Sequence, residues 1–255
     1  MRVCDTVLTA WEAVAVFAAG IGAGGINAVV GSGSLITFPT LLAVGYPPIV
    51  ANVSNNIGLV PGGVTGVLGY RAELTGQRAR LTRLAAASVL GSLVGGFLLL
   101  RLPAQAFNVI VPILIGVACV LVVIQPRVAG WISHRRRSEH GGPWLWLGVF
   151  GAGMYGGYFG AAQGVVLIGL MGVFLDEELQ RLNAAKNLLS LLVNFTAAVL
   201  FILIAEVDWT VVALIAVGSA IGGFIGARIG RRIPSPILRG VIVVVGIVAI
   251  VKLLA

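Results

Sequence analysis

The sequence predicts an all-α, polytopic integral membrane protein with two inverted-topology repeats, each of about five hydrophobic segments that include short broken or re-entrant helices. Three observations carry that prediction. The composition is 58% hydrophobic and 10% charged, with a mean hydropathy of +1.05, whereas a soluble domain needs about 25% charged residues to present a polar shell. The chain also repeats itself. An ungapped shift of 131 residues lays Gly20 on Gly151, Gly22 on Gly153, Gly25 on Gly156, Gly33 on Gly164, Asn52 on Asn183 and Asn56 on Asn187, then Thr65 on Thr196, Ser88 on Ser219, Gly91 on Gly222 and Gly95 on Gly226. These matches fall on residues that bend, cap or hydrogen-bond, not on interchangeable aliphatics. The third observation is an arginine bias that changes side between the two copies.

Each element follows from its own residues. Apolar segments run 13–30, 34–45, 49–70, 84–100 and 104–124 in the first copy, and 144–161, 164–175, 182–204, 210–227 and 235–254 in the second. Runs near the ~20 residues that cross a hydrocarbon core recur along the whole length, so they are the fold itself. The first begins like a secretory leader over Val7 to Gly20. However, only Arg2 stands against Asp5 before it, Glu12 interrupts it, and it continues past the small residues where cleavage would fall, so it reads as a membrane helix. The second segment of each copy is short: about 12 residues of helix rise only ~18 Å, which reads as a half-helix. The third starts polar. Gly91 and Gly95, Gly218 and Gly222, and the series Gly156, Gly160 and Gly164 stand at four-residue spacing, a pattern that lets helix backbones approach closely. The resulting division is a first membrane repeat at 1–127, a basic cytoplasmic loop at 128–142 and a second membrane repeat at 143–255.

An odd number of crossings in each copy turns the second upside down, and the charges agree. Loop 71–83 carries Arg71, Arg78, Arg80 and Arg83, while its counterpart at 205–209 carries Glu206 and Asp208 and no basic residue. The next loop reverses the bias, with Arg101 alone in 101–103 and Arg228, Arg231 and Arg232 in 228–234. Placing the arginine-rich loops in the cytoplasm puts 14 basic residues inside and three outside, as the positive-inside rule expects.

Several function classes drop out. The net charge of +8 sits in loops between spans, where it sets orientation, so no nucleic-acid partner is expected. Cys4 and Cys119 lie far apart, and His134 and His140 share a polar loop with three arginines, so neither a disulfide framework nor metal-ligand spacing is present. No P-loop, nucleophile elbow or HExxH helix occurs, which leaves no support for ATP drive or membrane-embedded hydrolysis. No enzyme activity, cofactor or metal is expected.

The candidate site has two parts. Gly31, Ser32, Gly33 and Ser34 precede a short helix, and Gln163 and Gly164 hold the matching place in the second copy. A break there leaves orphan backbone N–H groups whose partial positive charge suits an anion; the alternative is a kink held by neighbouring helices. The second part begins the third segment of each copy, with Asn52, Ser54, Asn55 and Asn56 against Asn183, Lys186 and Asn187. Such residues are costly in hydrocarbon unless they line a cavity or find partners, and positions four apart share a helix face. Lys186 has two readings: the cation of an anion path, or a topology anchor that snorkels to the cytoplasmic interface near Arg181. Convergence of the asparagines near mid-membrane, with Lys186 toward the cytoplasmic mouth, is the expectation. Asp176, Glu177, Glu178, Glu206 and Asp208 read as solvated loop charges.

At these residues the chain resembles a known family. The run GAGGINAVVGSGSLITFPTLLAVGYPPIVANVSNN and its partner GGYFGAAQGVVLIGLMGVFLDEELQRLNAAKNLLSLLVNF resemble the two signatures of the TauE/SafE sulfite-exporter family. The second departs from the pattern, with Ala161, Ala162 and Gln163 in place of further glycine and Leu170 where the first copy has Pro39. The resemblance implies a multi-span permease for small sulfur-containing or organic anions. The expected function is a secondary transporter that exports such an anion, sulfite or a sulfonate foremost, by alternating access at the repeat interface. A passive anion or small-solute channel is the alternative, and a membrane scaffold fits least because packing alone does not require two polar half-helix starts. The expected partners are the anion, the lipid bilayer and a second copy of the chain in a homodimer.

Overall fold

The computed structural model describes residues 8–103, most of 105–123, 141–229, Val244 and Ile247. The first copy opens with α1 (Ala10–Val29), α2 (Ser34–Val44) and α3 (Pro48–Gly69), then a 3-10 turn (Arg71–Leu74) and α4 (Arg78–Arg101). Residues 109–117 are also helical. The second copy contains α5 (Gly142–Tyr158), α6 (Gln163–Phe174), α7 (Leu179–Ile204) and α8 (Trp209–Ile229). No strand occurs among the described residues. The 235–254 segment apart from Val244 and Ile247, His134, His140 and most of loops 125–142 and 228–234 lie outside the described residues.

The helices start where local chemistry allows. Thr9 and Glu12 form a capping box at the head of α1, with the Thr9 N–H donating to Glu12 at 2.8 Å and the Glu12 N–H to Thr9 Oγ1 at 3.4 Å. Glu12, read in the sequence as an interruption, is thus a start signal. α4 begins at Arg78, six residues before the apolar run, because its first turns carry arginines that remain helical outside the hydrocarbon. α1, α4, α7 and α8 are long and apolar enough to cross a membrane, and α3 is as long but carries the asparagines. The short segments are short helices here too, 11 residues in α2 and 12 in α6. Large apolar side chains such as Val109, Ile113, Phe195 and Leu203 are exposed on the outer surface, as lipid contact requires.

Packing is crosswise between the copies. α1 packs on α8 and α4 packs on α5, while α3 lies against both α7 and α8 and α7 lies against α4. A methyl on Gly222 would collide with the Ile21 carbonyl of α1, and one on Gly95 with the Met154 carbonyl of α5, so the small-residue faces are contact faces. Ser219 Oγ donates to Gly58 O at 2.8 Å and Ser92 Oγ to Val193 O at 2.7 Å, locking α8 to α3 and α4 to α7.

Two polar clusters mark opposite ends of α7. At its start, Glu177 pairs with Arg80 at 3.2 Å and with Arg181 at 2.5 Å, and Arg181 donates to Thr75 O at 3.1 Å. Beyond its end, Asp208 accepts from Tyr46 OH at 3.0 Å and from the Val211 N–H at 3.0 Å, while its own N–H donates to Ser54 Oγ at 3.2 Å. Glu177 and Asp208 are therefore not free solvated loop charges: each ties two helix ends together. α3 starts at the Asp208 end and α7 at the Glu177 end, so these two helices run in opposite directions.

Candidate functional site

Two helix breaks touch at the centre of the described structure. Between α1 and α2, Gly31 has φ 84°; between α5 and α6, Gly160 has φ 77° and Ala162 φ 57°. The Gly164 N–H donates to Gly31 O at 3.0 Å. A Cβ on either glycine would meet the backbone of the other, and the aliphatic stem of Lys186 lies against both. Glycine is needed at 31 twice over, for the positive φ and for this approach.

The break at Val29 leaves the last carbonyls of α1 without intrahelical partners. Side chains of α7 supply the donors. Lys186 Nζ donates to Asn27 O at 2.9 Å and to Ala28 O at 3.2 Å. Ala28 O also accepts from Asn183 Nδ2 at 3.3 Å and Asn187 Nδ2 at 3.1 Å. The three donors stand on consecutive turns of one α7 face, and the ammonium lies where the α1 dipole is negative. Lys186 is 0% exposed, so the snorkelling anchor of the sequence reading is wrong. The physical reason is that orphan carbonyls hold the ammonium inside more firmly than a distant interface can draw it out.

The other break is capped by the other copy. Asn52 Nδ2 donates to Tyr158 O, the last carbonyl of α5, at 3.0 Å. Asn55, which the shift of 131 places on Lys186, accepts from Thr37 Oγ1. Asn56 Nδ2 reaches Asn194 Oδ1 at 3.5 Å. Ser54 stands apart from the breaks, bonded to the Asp208 loop. Gly33 and Ser34 begin α2, and the Gln163 amide lies against Gly156. The structure thus gathers Gly31, Gly164, Asn183, Lys186 and Asn187, sets Asn52 at the second cap, and leaves Ser54 out. Sequence reading missed Ser190 and Asn194, both buried; the spacing 183, 187, 190, 194 along one α7 face was the signal.

What the arrangement can do follows from which donors and charges remain. Lys186 is the one charged side chain in the buried set among the described residues. An ammonium has three donors, of which carbonyls hold two. Ser32 Oγ, Gln163 Nε2 and Asn183 Oδ1 are buried with no hydrogen-bond partner. The described residues contain no group of three or more potential metal ligands.

At least four helices able to span among the described residues, and polar groups gathered at broken helices inside an apolar shell, define a multi-pass cell-membrane protein of the transporter class. The family model described as Sulfite exporter TauE/SafE matches residues 16–253, and the chain belongs to that family. It is 26% identical over 236 residues to the "Probable membrane transporter protein YfcA" of Escherichia coli K12, an alignment covering 91% of this chain and 86% of that protein. A "Probable membrane transporter protein" of Haemophilus influenzae is 25% identical over 206 residues, covering 80% of this chain and 79% of the relative. "Probable membrane transporter protein ORF9" of a Sinorhizobium species is 23% identical over 239 residues, covering 94% and 91%. These are membrane transporters, not enzymes. No solved structure matches the chain.

Proposed function

We propose that the protein exports a small anion, sulfite or an organic sulfonate foremost, by alternating access at the interface of two inverted repeats. The observation that carries the reading is the buried ammonium of Lys186 between the two breaks, with no carboxylate partner among the described residues. An uncompensated cation costs about 2.5 to 3.5 kcal/mol at a helix centre on insertion scales. A bound anion offsets that cost, taking the third N–H of Lys186 together with the unpartnered Ser32 Oγ and Gln163 Nε2. The helix starts at Ser34 and Gln163 add dipoles of the right sign. With an inside-negative potential, each exported negative charge is favoured by about 2.3 kcal/mol per 100 mV, so outward flux needs no ATP.

Opposed directions in α3 and α7 and the crosswise caps support the inverted arrangement. Loops 71–83, 125–142 and 228–234 then face the cytoplasm and loop 205–209 faces outside. Single cysteines at positions 75 and 207 should label from opposite sides; labelling from one side would end the inverted reading. The function is tested by proteoliposome flux of sulfur oxyanions and carboxylates, with and without a proton gradient. Saturable sulfite or sulfonate flux that falls in Lys186→Gln is expected. Non-saturating flux insensitive to any gradient would make the protein a channel, and robust flux of cations or neutral solutes alone would overturn the anion reading.

A further inference from the structure

The polar face of α7 does not stop at Lys186. It continues one turn to Ser190 and a further turn to Asn194, both buried. From Asn183 to Asn194 the stripe covers ~16 Å of helix, more than half of a ~30 Å hydrocarbon core. Opposite it, α3 presents Asn56, whose Nδ2 reaches Asn194 Oδ1 at 3.5 Å. Asn56 Oδ1 and Ser190 Oγ are buried without a partner.

Polar side chains between membrane helices serve two ends, association or passage. Groups kept only for association satisfy one another, because an unpartnered amide or hydroxyl weakens the contact it is meant to hold. Here a long polar stripe leaves an acceptor on one helix and a hydroxyl on the other unspent, about one to two turns from the only buried cation among the described residues. We propose that Ser190, Asn194 and Asn56 form a second, uncharged station between α3 and α7 on the way from Lys186 to the Asp208 end, where the Ser190 hydroxyl donates to the anion and Asn56 Oδ1 accepts from the anion's bound water. Lys186 holds the charge, and the station replaces hydration water along the next ~12 Å of α7. Without a cation of its own it binds weakly, which lets the anion leave. This inference rests on the reading of Lys186 as the counter-charge of the anion.

The test uses the full chain in membranes, with Cys4 and Cys119 replaced and single cysteines placed at Ser190→Cys and Asn194→Cys. The probe is (2-sulfonatoethyl) methanethiosulfonate, a small sulfonate-bearing thiol reagent, supplied to both faces. Leu203→Cys, on the 76% exposed apolar surface, is the lipid-facing control, and Glu206→Cys the water-facing one. Both station cysteines should label while Leu203→Cys does not, and Lys186→Gln should slow their labelling roughly tenfold by removing the local attraction for anions. Ser190→Cys changes one atom, so its result decides alone if Asn194→Cys does not fold. Failure of both positions to label while Glu206→Cys labels would make the stripe helix contact only. Labelling indifferent to Lys186→Gln would also overturn the station, leaving a wet crevice unrelated to the anion. If anion flux still depends on Lys186 in the first of these outcomes, the proposed function stands without the station.

Discussion

The ends of α1 and α5 are the same structural problem solved in two ways. Each helix stops inside the bundle, and each exposes its last carbonyls to the third helix of the other copy. At Tyr158 one neutral amide, Asn52, does the capping. At Asn27 and Ala28 the job is shared by two amides and a buried ammonium. Because the second cap holds without a charge, capping does not explain why position 186 carries one where position 55 does not. Lys186 carries a desolvation cost that an asparagine would avoid, and the anion of the proposed function is the partner that would offset it.

Replacing the charge at the first cap should produce the largest effect. Lys186→Asn copies the residue that the shift places there and can still donate to a carbonyl. Anion flux should fall by at least about tenfold, the loss of ~1.4 kcal/mol of binding, while detergent melting changes little. Full flux in this variant would show that the ammonium only caps α1. A sharper form moves the charge across: Asn55→Lys combined with Lys186→Asn should restore part of the flux if the site needs one cation near the breaks on either side. No recovery, in a variant that folds, would show that the α1 end alone is productive.

Next in size are the caps as stability elements. Leaving a buried carbonyl unpaired costs about 1 to 3 kcal/mol. Asn52→Leu should destabilise more than Asn183→Leu, because Ala28 O keeps Lys186 and Asn187 whereas Tyr158 O has only Asn52 among the side-chain bonds described. Equilibrium unfolding in mixed micelles would measure the difference, and equal losses would contradict this account of the caps. The smallest effect is expected at the ends of the bundle. Glu177→Gln breaks both ion pairs of Glu177, with Arg80 and with Arg181, each worth up to about 1 kcal/mol, an effect that high salt should largely remove. A salt-insensitive loss above that range would show that the pairs carry more than loop position.

The sequence foretold the short second helices, because their apolar runs are too brief to cross, and it brought Asn183 and Asn187 to one face by spacing alone. It misled at α4, whose arginine-bearing first turns extend the helix beyond the hydrophobic run. Lys186 was ambiguous because a lone cation near Arg181 looks the same in sequence whether it reaches water or a carbonyl; only the position of the α1 end decides. Asn194 passed unnoticed as a single polar residue in an apolar stretch, matched by Gly63 in the other copy. Glu177 and Asp208 fall on Tyr46 and Gln77 under the shift, and Gln77 accepts from Arg80, a partner of Glu177, so the two polar clusters occupy matching places in the repeat.

The contact between Gly31 and Gly164 binds the history of the two copies together. Each occupies the space where a side chain of the other would stand, so neither half can drift at its break without a response from its twin. A duplicated gene usually frees one copy to vary. Here the shared backbone contact withdraws that freedom, and a deep mutational scan should find substitutions at the two glycines strongly epistatic, although the shift lays Gly31 on Ala162 and Gly164 on Gly33, so the coupling joins different positions of the two copies.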